Sequence, residues 1–286
     1  MIWLILSILC STLIMVIFKY FEKYKINTFH AIIVNYATCV AVGLPLVKDW
    51  TIQSQSNDWM WWGLVLGCLF IGLFFLIGTT AQKIGVSVAS VSMKLGYIFP
   101  IILAFSFYGE SASTLKLIGI GLTILAVILT SLKENDSSKP FAWMTVIFPL
   151  VIFLGSGVAD SVVQYVEKTF FKAGGFEAFN IILFSTAAGI GFIAASISAI
   201  KNKAVNFEWK NVLAGILLGI PNYGSIYFLF KALNNFKESS FVYPANNIGI
   251  VVASTLIAVI LFSEKLNVKN IIGLILALAS IVLMAI

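Results

Sequence analysis

Residues 59–82 read WMWWGLVLGCLFIGLFFLIGTTAQ, twenty-four positions without one charged side chain. A helix rising 1.5 Å per residue needs roughly 20 such residues to cross about 30 Å of hydrocarbon. Backbone amides in lipid must be satisfied within the segment or by closure of a barrel. Barrel strands alternate apolar and polar over about ten residues, whereas this run is apolar throughout and twice as long. It reads as a membrane-spanning helix.

Working outward, similar runs fall at approximately 2–21, 28–47, 86–108, 113–132, 142–166, 176–200, 210–233, 239–262 and 267–286, making ten in all. The breaks carry charges and turn formers, among them Lys23-Tyr24-Lys25, Lys48-Asp49, Gly109-Glu110-Ser111 and Lys201-Asn202-Lys203. Only Gln53 to Asp58 and Glu134 to Pro140 resemble short linkers, so no soluble domain is expected. The fold class this predicts is an all-α membrane protein with ten transmembrane helices. Met1 to Phe18 reads as an uncleaved first span, because no positive residue precedes it and no small-x-small cleavage pattern follows.

Composition agrees. The chain is 60% hydrophobic and 10% charged, with a mean hydropathy of +1.02, against about 25% charged residues in an ordinary soluble domain. Its net charge of +6 comes from 18 lysines and no arginine against 12 acids. Those lysines stand singly or in pairs between apolar runs, which suits loop anchoring at a membrane face and not a nucleic-acid stripe. Cys10, Cys39 and Cys68 each lie inside an apolar run, without metal-site spacing, and read as packing residues.

An internal repeat organises the ten runs. Tyr20-Phe21-Glu22-Lys23 closes the first span and Tyr165-Val166-Glu167-Lys168 closes the sixth. Glu110 closes span four with Gly119 nine residues on; Glu264 closes span nine with Gly273 nine residues on. Each half, 1–136 and 137–286, therefore holds five spans. Because five is odd, the second half enters the membrane with opposite orientation, giving two inverted five-helix repeats, an arrangement common in transporters.

These features resemble the EamA-type branch of the drug/metabolite transporter superfamily. The residues that carry the resemblance are Pro100 through Gly109-Glu110 to Gly119, and Ser263-Glu264 to Gly273. The second half departs from it in its proline: Pro244 stands twenty residues before Glu264, while Pro100 stands ten before Glu110. The resemblance implies a central cavity among spans one to four and six to nine, with spans five and ten outside. It also implies cytoplasmic termini. Lysines point the other way, about eleven in odd-numbered loops against about six in even-numbered ones, so orientation stays open. The substrates it implies are amino acids, other small metabolites, nucleotide sugars or amphiphilic drugs.

Charges in mid-membrane are costly unless they face a cavity or a partner. Two qualify. Lys94 lies eight residues into span four, and Asp160 lies in the second half of span six. One reading makes Lys94 the anchor for an anionic group and Asp160 the counterpart for an amine or a proton. The other is a structural ion pair, although span centres put the two about 12 Å apart in depth. Asn246-Asn247 follow Tyr243-Pro244 in span nine, and Asn222-Tyr223 follow Pro221 in span eight; a proline that opens its helix beside amides points to a midplane site. Interhelical hydrogen bonding is the alternative. Tyr97 shares a helix face with Lys94, and Asn35 and Gln164 complete the candidate set. Trp59, Trp61 and Trp62 are expected in an interfacial belt.

No catalytic constellation, cofactor motif or metal cluster is expected. Glu110 and Glu264 fall on opposite membrane faces and read as helix-boundary residues. His30, the single histidine, stands near the interface without ligand-spaced companions. No phosphate-cradling GxxxxGK[ST] occurs. The expected function is a secondary transporter in a cell membrane, the inner membrane of a bacterium. It would move a small polar or amphiphilic metabolite by alternating access, with a proton or counter-solute as coupling partner and export as one open direction. A non-transporting scaffold or receptor is the alternative, an intramembrane enzyme a more distant one.

Overall fold

The computed structural model describes residues 1–47, 58–107, 113–131, 143–170, 176–202, 208–235 and 239–285, and the described residues are almost entirely helical. The helices are α1 (Ile2–Lys23), α2 (Thr28–Gly43), α3 (Asp58–Lys83), α4 (Val86–Leu95), α5 (Ile98–Phe107), α6 (Thr114–Ser131), α7 (Met144–Phe170), α8 (Phe176–Asn202), α9 (Trp209–Asn235), α10 (Ser239–Phe262) and α11 (Val268–Ala285). Each matches a run read from the sequence to within four residues, span four being divided between α4 and α5. Seven helical segments are long and apolar enough to cross a membrane, and Val86–Ile102, Thr114–Thr130 and Val268–Leu283 are shorter apolar helices. The chain is a multi-pass membrane protein. Gly109, Glu110, both linker-like stretches bar Asp58, and the Lys48-Asp49 break lie outside the described residues.

Local chemistry explains the helix ends. Asn27 caps α2, its side-chain oxygen accepting from the His30 amide at 3.1 Å. A left-handed residue follows each of α1 and α10, Lys25 two residues past α1 and Ser263 directly after α10, both at φ 50°. Past each, the chain turns back with a bond to the helix's last turns: Ile26 N–H to Phe21 O at 2.9 Å, and Glu264 N–H to Ala258 O at 3.0 Å.

Two expectations need correcting. The interrupted span is the fourth: its helix breaks at Gly96-Tyr97, four residues ahead of Pro100, which has no N–H to offer the Gly96 carbonyl; that carbonyl accepts from Phe99 N–H at 3.0 Å instead. α9 runs unbroken through Pro221, and α10 through residue 244. Trp59 is 6% exposed and packs in the core, while Trp61, at 68%, faces outward as a belt residue would.

Helix sides are sorted for lipid. On α1, Ile5, Leu9 and Leu13 are exposed at four-residue spacing, while Ser7, Ser11, Ile14, Met15 and Phe18 are buried. The small polar groups turn inward with part of the apolar set, and the outward face is wholly apolar, unlike the polar outer face of a soluble helix. α1 packs on α9 and α10, α3 on α7 and α8, α2 on α8 and α9, α4 on α7 and α10, and α6 on α11.

Paired glycines set the closest approaches. A Cβ on Gly215 would meet Ala31 O at 2.6 Å, and one on Gly219 would meet Asn35 O at 2.7 Å, so α9 lies directly on α2. Gly67 of α3 stands in the same way against Leu183 O of α8, at 2.7 Å, with Gly63 against Ile182. Both pairs have the GxxxG spacing that lets membrane helices approach.

Candidate solute-binding site

A cavity of about 220 Å³ sits in the centre of the bundle, walled by α1, α3, α4, α7, α8, α9 and α10. Lys94, Asp160, Asn222, Tyr243 and Asn246 line it together, so half of the candidates named from sequence converge. Asp160, within α7, is exposed and Lys94, in the last turn of α4, is half-buried; both line the cavity. They lie near enough to act on each other electrostatically, yet no ion pair within 4 Å joins them among the described residues. One lysine and one aspartate thus line the same cavity without an ion pair between them.

The other candidates lie behind the wall or beside it. Asn35, fully buried, accepts from Asn222 Nδ2 at 3.1 Å and so holds a lining residue in place. Tyr97 stacks on Tyr243 with ring centroids 6.1 Å apart. Tyr223 turns toward Gly43 of α2 and Phe184 of α8. Asn247 is buried and Gln164 half-buried, and neither lines the cavity.

Several lining residues escaped the sequence reading. Ser7 Oγ donates to Ser225 O at 2.9 Å and Ser225 Oγ to Asn222 O at 2.8 Å, extending the Asn35–Asn222 link across α2, α9 and α1. Ser11, Ser156 and Asn180 add polar surface, while Phe70, Phe74, Phe176 and Phe230 supply an apolar wall. Asn246 is 2% exposed and its Oδ1 has no protein partner, an unsatisfied buried acceptor in the cavity wall. Sequence offers one faint signal for the hydroxyls: serines at Ser7 and Ser11 recur four residues apart on one face of an otherwise apolar helix.

At the ends of the helices opposite the described N-terminus, several contacts join neighbouring helices. Lys19 Nζ donates to Gln82 O at 2.7 Å, Asn27 N–H to Asn211 Oδ1 at 2.9 Å, and Tyr20 meets Phe262 edge-on at 5.3 Å. There too Glu264 accepts from Val86 N–H at 2.7 Å and from Ser87 Oγ at 3.2 Å. Its helix-boundary role is therefore concrete: it caps α4, whose own N-cap, Gly85, has no side chain to do so.

The chain is 27% identical to an uncharacterized protein of Haemophilus influenzae, over 97% of this chain and 95% of that protein. One solved crystal structure shares its fold with a TM-score of 0.59 at 16% identity, covering 97% of this chain and 95% of that one. Residues 1–132 match the model of the EamA-like transporter family, which bears out the EamA-type resemblance read from the sequence.

Proposed function

We propose that this protein is a secondary transporter that moves a small polar or amphiphilic metabolite across a bacterial inner membrane by alternating access. The observation that carries the proposal is the central cavity, in which Lys94 and Asp160 face open volume without pairing to each other. A buried charge is retained at depth when a ligand, ion or water completes it. Lys94 would anchor a carboxylate or phosphate, Asp160 an amine or a proton, and Asn222, Tyr243 and Asn246 would orient the solute. Tyr97 and Asn35 would hold those lining residues; Tyr223, Asn247 and Gln164 would serve packing.

The rocking units would be residues 1–136 and 137–286, as two inverted repeats of five spans. Reciprocal packing supports this: exchanging the halves turns the α1–α9 contact into α7–α3, α2–α9 into α8–α3, and α1–α10 into α7–α4. The two glycine pairs, on α3 and α9, exchange likewise.

The test is reconstitution. Purified protein in liposomes should move a solute found by a thermal-shift screen of metabolites, since a ligand that binds the folded state raises its stability. Lys94→Ala should abolish that movement. Binding without movement would favour a receptor or scaffold, and turnover of a bond would favour an enzyme.

A further inference from the structure

A second cavity, of about 840 Å³, lies apart from the central one, between α4, α6, α10 and α11. It opens on the outward surface, where Val268 and Ile271 are 71% and 45% exposed. Ile84, Val88, Val91 and Leu274 make apolar walls. Its depth is about 9 Å, the rise of α11 from Val268 to Leu274.

Most polar groups at its rim are already used. The Glu264 carboxylate is held by α4. Asn270 Nδ2 donates to Leu129 O at 3.2 Å and Thr130 O at 2.9 Å, and Asn267 and Asn270 cap each other's amides. Two groups stand out. Thr255 is 5% exposed and its Oγ1 has no protein partner. Lys265 is exposed on the rim, with no ion-pair partner among the described residues.

We propose that this groove binds one phospholipid with an anionic headgroup. The headgroup phosphate meets the Lys265 ammonium at the membrane face. Thr255 lies about 10 Å below the end of α10, a depth that a lysine side chain and a glycerol backbone span together, and its hydroxyl donates to an ester carbonyl. An acyl chain then follows Val88 and Leu274 toward the midplane. Lipid is the occupant because the groove joins an orphan hydroxyl and a rim cation to an apolar trough open on the lipid-facing side. The site is independent of the solute cavity.

The full chain, purified in detergent, should be titrated with phosphatidylglycerol, phosphatidylcholine and inorganic phosphate, and bound molecules counted by native mass spectrometry. One phosphatidylglycerol should bind about fivefold or more tightly than phosphatidylcholine. Lys265→Glu, at an exposed position that leaves folding intact by circular dichroism, should erase that preference. Thr255→Val should weaken both lipids about threefold. Equal binding of the two lipids, or a preference that survives Lys265→Glu, overturns the proposal. Displacement of the lipid by inorganic phosphate at similar concentration also overturns it, marking an ion site instead.

Discussion

The carboxylate of Glu264, just past the end of α10, accepts the Val86 amide of α4 at 2.7 Å, across 178 positions of sequence. The bond joins the end of α10 to the first turn of α4. Gly85, at φ +155°, makes it possible: a Cβ there would stand 3.0 Å from Glu264 Oε2. Capping of α4 and its attachment to α10 are therefore one contact.

Glu264→Ala should lower stability by about 1–2 kcal/mol, the cost of an emptied N-cap. Glu264→Gln, which keeps an acceptor, should lose less. Denaturant unfolding in detergent measures both, and an Ala variant as stable as the parent would refute the capping role.

Gly219→Leu should prevent proper folding, because its Cβ meets the Asn35 carbonyl at 2.7 Å and neither backbone has room to retreat. Gly189→Ala is the control, with nothing within 4 Å of the added carbon; it should be neutral or stabilising by up to about 1 kcal/mol. Size-exclusion profiles of the two variants distinguish them. Identical profiles would contradict the packing argument.

Asn35 and Asn222 share a buried side-chain bond. A double-mutant cycle with alanine should give a coupling near 0.6 kcal/mol, and at most about 1.7, the range measured for polar pairs in membrane helices. Solute affinity should fall in Asn35→Ala even though Asn35 does not line the cavity, because Asn222 loses its fixed orientation. Unchanged affinity would make the pair purely structural.

The sequence disclosed the helices well and the site by halves. A span is a length of apolar residues, and Ser239–Phe262 matches the predicted run at both ends. Lys94 and Asp160 were legible because a charge inside such a run has few destinations. Rotation about a helix axis was not. In lipid the outer face is as apolar as the core, so no stripe tells that Asn246 faces the cavity while its neighbour Asn247 does not. Serines such as Ser156 are hidden for a related reason: a hydroxyl can bond its own helix backbone, as Ser161 does to Gly157 O, and so sits anywhere on a span. The break at Gly96-Tyr97 was missed because apolarity runs straight through it.

Lys94→Met separates a binding role from a structural one. Methionine is close to lysine in length and carries no charge, so a lysine that only filled space would be replaced without loss. If Lys94 anchors an anionic group, solute affinity should drop at least tenfold, about 1.4 kcal/mol of lost interaction. Stability should hold or rise, since a charge is removed from the membrane interior. Its partner on the wall gives the second arm. Asp160→Asn keeps shape and hydrogen bonding but removes the negative charge, so a solute amine should bind more weakly while the fold stays intact. Thermal shifts with and without solute read both quantities from one sample. Lower stability with unchanged affinity in either variant would mean that the two charges serve the bundle and not its cargo.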